Sequence, residues 1–302
     1  LQETEVPSVL TPEQLTERFV DLIAHASSQL PPDVLEALKR GRDAEEPGSL
    51  AAKALDSILT NVQMAKGNWQ PICQDTGTPL VWIHHPVGMS TRMLTAAFEE
   101  AVRRATAKQL LRPNAVETLT DRNTGNGQGA GIPTVHCEEW DEEDVEVRLI
   151  LKGGGCENVG AQYSLPNTKL KADRNLEGVR RCVLDAIQQA QGKGCAPGII
   201  GVCFGGDRGS GYVESKHQLL RRLDDSNPVP ELDTMERELL QQGNSLGIGP
   251  MGFGGKTTIL GVKIGNLARL PASYFVSISY MCWANRRAGA RITPQGEVTW
   301  LN

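Results

Sequence analysis

The chain has 302 residues, enough for one large domain or two modest ones, and 39% of them are apolar, so a substantial core can form. Its charged fraction is an ordinary 22% and its net charge a mild −5, which gives no reason to expect a nucleic acid or an anionic membrane as partner. No apolar run approaches the roughly 18 residues of a membrane span, no signal peptide is visible, and the start at Leu1 rather than Met reads as trimmed.

In chain order, the first part reads as helical. A Thr11-Pro12 start signal opens a helix whose Leu15, Phe19, Leu22, Ile23 and Ala26 share one face. Leu55, Ile58, Leu59 and Val62 mark another. Met93, Ala97, Ala101 and Ala105, flanked by Leu94, Phe98 and Val102, mark a third. Residues 121–133 form a glycine-rich loop of a length that, inside a compact domain, is more often functional or disordered than a plain connection. The acidic run 141–144 reads as a solvated turn.

Val145, Val147, Leu149 and Leu151 alternate as a strand and lead into Lys152-Gly153-Gly154-Gly155-Cys156-Glu157-Asn158. A helix carrying Leu176, Val179, Val183 and Ile187 comes next, then an apolar strand over 199–204 closed by Gly205-Gly206-Asp207. Helices are expected near 211–222 and 231–242, strands at 257–264 and 273–280, and a hairpin over 291–301 that turns at Pro294-Gln295-Gly296. Helices first, then strands mixed with helices, predict an α+β or mixed α/β fold, with an N-terminal helical layer packed on a mixed β-sheet. No linker divides the chain, so residues 1–302 read as one domain with a mainly helical part, 1–115, and a mixed-sheet part, 116–302.

Two motifs tempt and fail. Gly247-Ile248-Gly249-Pro250-Met251-Gly252 has the glycine spacing of a dinucleotide site, but that site needs a strand before it and a helix after it, the reverse of the order expected here. Gly255-Lys256-Thr257 imitates the end of a phosphate-binding loop, yet Pro250 stands where its first glycine belongs. The turn Gly205-Gly206-Asp207-Arg208 is better placed for an anion, although a plain turn explains it equally well.

The seven cysteines, at 73, 137, 156, 182, 195, 203 and 282, are scattered and form no Cys-x-x-Cys pair. Without a secretion signal they read as cytosolic thiols, not disulfides. Three have distinctive settings: Cys73 before Gln74-Asp75-Thr76-Gly77, Cys195 before Ala196-Pro197-Gly198, and Cys282 before Trp283-Ala284. Three thiolates can hold an iron–sulfur cube and leave its fourth iron open as a Lewis acid. A cysteine before a polar turn is also commonly a small buried hydrophobe. Beside Cys73, however, an amide, a carboxylate and a hydroxyl add hydrogen-bonding and proton-transfer groups. Arg112 in Leu111-Arg112-Pro113-Asn114, and Lys152, can pair with substrate carboxylates or serve as surface charges.

Taken together, Cys-Gln-Asp-Thr-Gly at 73–77, Leu-Arg-Pro-Asn-Ala-Val at 111–116, Asn-Thr-Gly at 123–125, Lys-Gly-Gly-Gly at 152–155, Cys-Ala-Pro-Gly-Ile-Ile-Gly-Val at 195–202, Leu-Gly-Ile-Gly-Pro at 246–250 and Cys-Trp-Ala at 282–284 resemble the iron–sulfur class I fumarases and the related L-tartrate dehydratases. The likeness is to their N-terminal domain or alpha subunit and runs from about residue 12 to the end of the chain. It implies a [4Fe–4S] cluster on Cys73, Cys195 and Cys282, and the reversible hydration of fumarate to L-malate. It also implies substrate contact by Gln74, hydroxyl contact or proton transfer by Asp75, a carboxylate held by Arg112, and main chain near Gly155 lining the site.

The same likeness places the general base on a C-terminal domain or beta subunit that this sequence lacks. The expected enzyme is then a cytoplasmic homodimer or α2β2 assembly acting on a C4 dicarboxylate. Three departures matter. Cys156 stands where many fumarases have serine and tartrate dehydratases often have cysteine, which makes it the rival cluster ligand. Glu157-Asn158 and Gly205-Gly206-Asp207-Arg208 lean toward fumarase. The stretch Ala268-Arg269-Leu270-Pro271 lacks the histidine that some members carry there. The close rival is the same chemistry on L-tartrate or a methylated C4 acid, and the competing reading from another class is a non-catalytic iron–sulfur or thiol sensor.

Overall fold

A computed structural model describes residues 10–301. Helices α1 (Pro12–Ser28), α2 (Pro32–Ala44) and α3 (Leu50–Asn68) come first, then strand β1 (Thr78–Pro86) and helix α4 (Thr91–Ala107). The short strands β2 (Val116–Glu117) and β3 (Arg122–Asn123) precede β4 (Thr134–Trp140) and β5 (Val145–Lys152). A single helical turn, α5 (Gly154–Glu157), leads to β6 (Ala161–Ser164), α6 (Leu176–Ala190), β7 (Gly198–Phe204), α7 (Arg208–His217) and α8 (Pro230–Ser245). The chain closes with β8 (Ile259–Asn266), β9 (Phe275–Met281), β10 (Arg287–Ile292) and β11 (Val298–Leu301). The mixture of helices and mixed sheets is the expected α+β fold. No helix among the described residues is long and apolar enough to cross a membrane.

The described chain forms two compact units, each assembled from separated stretches of sequence. One contains the chain up to Pro31, Met64–Lys152 and everything from Arg286 onward; the other contains Pro32–Gln63 and Gly153–Asn285.

The first unit is a five-stranded sheet in the order β11-β10-β5-β1-β4, with β1 parallel to β4 and antiparallel to β5. Helix α1 starts where sequence chemistry dictates: the Thr11 hydroxyl accepts the Gln14 N–H and the Gln14 side chain returns to the Thr11 N–H, a reciprocal cap ahead of Pro12. Ser90 caps α4 through the Met93 N–H at 3.3 Å. The faces read from the sequence are the ones buried. Leu15, Phe19, Leu22 and Ile23 of α1 meet Leu94, Phe98 and Val102 of α4 and the inward residues Val81, Ile83, Val145, Val147, Leu149 and Leu151. Phe19 and Phe98 meet edge to face at 5.5 Å between ring centres. Each such side chain, fully buried, contributes about 1.5–3 kcal/mol of transfer free energy.

The second unit has a four-stranded sheet in the order β6-β9-β7-β8, with β7 parallel to β8 and antiparallel to β9. Helix α7 packs on β7 at Gly201, where a Cβ would lie 2.1 Å from the Ser215 carbonyl oxygen, so only glycine fits. The Glu45 carboxylate accepts the N–H groups of Lys256 and Thr257, and Asn244 accepts those of Thr258 and Ile259. These bonds fix the glycine-rich stretch between α8 and β8. A helix precedes it and a strand follows, the order that argues against a dinucleotide loop.

Cys182 and Cys203 are fully buried in this unit. Burial first, and then the nearby Asp185 and Glu214 charges respectively, push both thiols up to about 12. In the unfolded chain a thiol ionises near about 8.5. As pH rises from that value toward 12 the unfolded state sheds these protons and the folded state does not, so stability should fall across that window. In the native protein at about pH 8, Cys182 and Cys203 should resist iodoacetamide, as peptide mass spectrometry would reveal.

Candidate functional site

In the first unit, the turn between α3 and β1 carries Cys73, Gln74 and Asp75. Its base is tied to α1 by the Ile72 N–H bonding to the Ser27 carbonyl at 2.9 Å. The Asp75 carboxylate accepts the Gly77 N–H at 3.1 Å, closing an Asx turn. Gly77 has φ +80° and presses so closely on β5 that a Cβ would lie 2.7 Å from the Leu151 carbonyl carbon.

Thr76 is buried, and its hydroxyl oxygen accepts the Arg112 N–H at 2.9 Å and the Asn114 side-chain amide at 3.2 Å. Arg112 Nη1 donates to the Gln74 carbonyl at 3.3 Å. The Arg286 guanidinium donates to the Asp75 carbonyl. Cys73, Gln74, Asp75 and Arg112, four positions singled out in the sequence, therefore meet around one turn. Gln74 and Arg112 are exposed, while Cys73 and Asp75 are half-buried.

In the second unit, Cys195 lies between α6 and β7 with φ +56°. Its carbonyl accepts the Trp283 N–H at 3.3 Å, joining its loop to the segment that leaves β9. The glycine-rich stretch buttresses the same loop: the Met251 N–H bonds to the Ala196 carbonyl at 2.9 Å, and a Cβ at Gly192 would lie 2.6 Å from the Met251 carbonyl oxygen. Cys282 follows β9, with its thiol 3.8 Å from the Ala284 carbonyl and its N–H bonded to Cys156 Sγ at 3.2 Å.

Between these loops sits the Tyr280 ring. It is admitted because Gly194 and Gly198 lack side chains; a Cβ at either would come within 2.5 Å of the ring or its hydroxyl. Burial, then the neighbouring Cys156, Cys282 and Cys195, hold the Tyr280 phenol well above the usual range. Cys195 and Cys282 are thus brought together around one phenol, with Cys156 beside them. Gly155 is exposed on α5, and a Cβ there would meet nothing nearer than the Lys193 carbonyl oxygen at 3.9 Å.

A family model described as fumarate hydratase (Fumerase) matches residues 16–291. The chain belongs to that family. As a fumarate hydratase family member it is 47% identical over 294 residues to a provisionally named fumarate hydratase class I of Geobacillus stearothermophilus, covering 96% of this chain and 57% of that protein. It is 34% identical over 284 residues to a provisionally named L(+)-tartrate dehydratase subunit alpha of Methanocaldococcus jannaschii, covering 92% of this chain and 98% of that one. The L(+)-tartrate dehydratase subunit alpha of Escherichia coli K12 is 33% identical over 283 residues. The chain therefore spans little more than half of its Geobacillus relative and nearly all of the archaeal subunit.

Three groups escaped the sequence reading: Tyr280, Asn285 and Arg286. The last two follow Cys282-Trp283-Ala284 directly and are fully buried polar residues between two strands. A polar pair in that position was the available signal. Among the described residues, no group of three or more His, Cys, Asp or Glu side chains is spaced to hold a single metal ion. A cube makes a different demand, because each thiolate binds its own iron and the sulfurs need not converge on one point.

Proposed function

We propose that this chain is the cluster-bearing part of an iron–sulfur hydro-lyase that reversibly hydrates fumarate to L-malate. The observation that carries the reading is the gathering of Cys195 and Cys282 around Tyr280, in loops seated by glycines that nothing larger could replace. Cys73, Cys195 and Cys282 would hold a [4Fe–4S] cluster, a donor set of soft thiolates suited to iron. When bound, the cluster supplies a Lewis acid that stabilises the hydroxide leaving malate.

The remaining work falls to the chain. The exposed Gln74 amide and Arg112 guanidinium bind and orient substrate carboxylates, and the Asp75 carboxylate holds or moves the proton of the hydroxyl. Gly155 supports a ligand approaching its main chain, since neither its φ nor its packing demands glycine. A C-terminal domain or beta subunit supplies the carbon-proton base, and the working enzyme is a cytoplasmic homodimer or α2β2 assembly. The 57% span of the Geobacillus relative supports a further part. Identity favours fumarate. Cys156 beside Cys282 and the near-complete span of the archaeal subunit favour the second reading, the same chemistry on L-tartrate.

The deciding experiment is anaerobic reconstitution followed by iron and sulfide analysis, the visible spectrum, and then fumarate absorbance with the proposed C-terminal domain or beta subunit added. A colourless, iron-free protein would end the cluster reading. Full activity from this polypeptide alone would end the claim of a partner. A higher kcat/KM for tartrate than for malate would exchange the two substrate readings.

Asn285 supplies an independent check. It is fully buried and neither of its amide atoms has a hydrogen-bond partner among the described residues. Such a group costs about 1–3 kcal/mol, which is tolerable where a bound group or water completes the bonding. Asn285→Leu should therefore leave the cluster-free chain as stable as before or more so, while weakening iron retention or raising KM. A stability loss in urea denaturation would show that the amide is structural.

A further inference from the structure

We infer that Arg286 is a positioning residue that sets the main-chain geometry of the 73–77 turn. It is 1% exposed and among the largest fully buried side chains of the described chain. One arm of its guanidinium donates to the Asp75 carbonyl and the other to the Leu151 carbonyl at 3.3 Å. Its own carbonyl accepts the Leu151 N–H at 2.9 Å, so its backbone is held by the end of β5. The guanidinium is a rigid fork, and two carbonyls on one fork have a fixed separation. Arg286 therefore ties the turn to β5 at a set distance.

Gly77 reports the same seat independently, since its missing Cβ would fall on Leu151 and Lys152 main chain. The energetics point to a purpose beyond packing. The two acceptors are neutral carbonyls, and the buried Nε has no partner among the described residues. A buried cation with only neutral partners is poorly compensated. An apolar side chain would fill the space at lower cost, whereas the fork fixes the turn and leaves positive charge beside the main chain of Gln74 and Asp75. That charge suits an anionic ligand at the turn. This last step rests on the hydro-lyase reading; the positioning role does not.

The test uses the full chain without cluster. Arg286→Met removes both bonds and the charge; Arg286→Lys keeps the charge and can reach one carbonyl. Cys73 alkylation and amide exchange in residues 70–80 report the turn, while Cys182, Cys203 and β8 report general loosening. Arg286→Met should speed both turn signals by about tenfold or more, as expected when a hydrogen bond to a charged donor is lost. The controls should hold, and Arg286→Lys or added guanidinium ion should restore part of the effect. An unchanged turn would overturn the inference, and so would equal acceleration of the turn and the controls, which marks a merely structural residue. Should Arg286→Met fail to fold, the lysine variant alone still decides, with a smaller local acceleration expected. Iron uptake by the wild-type chain judges the hydro-lyase reading separately.

Discussion

Cys282→Ser and Cys195→Ser should each lower the iron retained after anaerobic reconstitution by more than the roughly 10–100-fold that loss of an outer-shell partner costs. Serine matches cysteine closely in size, so the loops around Tyr280 can close on it. Its hydroxyl does not ionise near neutral pH, and as a hard oxygen it is a poor iron ligand where a thiolate is a good one. The Trp283-to-Cys195 main-chain bond and the Met251-to-Ala196 bond involve no sulfur and should survive the change. Iron loss without unfolding is therefore the expected signature, read by iron analysis beside a thermal melt.

Cys182→Ser and Cys203→Ser provide the contrast, because their sulfurs are buried elsewhere and held protonated. Cys156→Ser decides the third ligand. If it loses as much iron as Cys282→Ser while Cys73→Ser keeps its iron, the ligand set is Cys156, Cys195 and Cys282, all in one unit. If Cys73→Ser loses the iron and Cys156→Ser keeps it, the set inferred from the motifs stands.

What the sequence made legible follows from how local each signal is. The apolar faces of α1 and α4 were readable because a period of three to four residues survives any tertiary arrangement. β5 was readable because its inward residues alternate. β1 escaped: Leu80-Val81-Trp82-Ile83 is an unbroken apolar run, and such runs have no period to distinguish a strand from a buried helix. What makes it a strand is pairing with β4 and β5, both later in the chain. α2 escaped for the opposite reason, since its buried Val34, Ala37 and Leu38 make too short a stripe to stand out.

At the site the pattern repeats. Gln74 and Asp75 adjoin Cys73, so their company was visible in the string of letters. The meeting of Cys156 with Cys282 depends on where α5 and the end of β9 come together, and no spacing encodes it. Arg286 is further out of reach. Its role depends on a carbonyl 211 residues away, and main-chain acceptors leave no trace in residue type.

Gly77→Ala should be the most damaging single methyl group at the turn. Two penalties add there. The first is conformational: φ +80° lies in the left-handed region, where a non-glycine residue costs about 1–3 kcal/mol. The second is steric. The new Cβ would stand 2.7 and 2.8 Å from the carbonyl carbon and oxygen of Leu151 and 2.9 Å from the carbonyl carbon of Lys152. These are main-chain atoms of a strand paired on both sides, so they cannot rotate away, and relief requires the turn to lift off β5. Overpacking of this kind costs a further ~1–3 kcal/mol.

The combined loss, about 2–6 kcal/mol, should show as a lower urea midpoint with little change in slope. Because the Asp75 carboxylate bonds the Gly77 N–H and Arg286 bonds the Asp75 carbonyl, a lifted turn also loses the groups proposed to meet substrate. Gly155→Ala is the matched control: the same methyl group in open space, at an ordinary φ, should leave the midpoint in place. If the two variants denature alike, the turn is not seated on Leu151, and the placement of Asp75 needs another explanation.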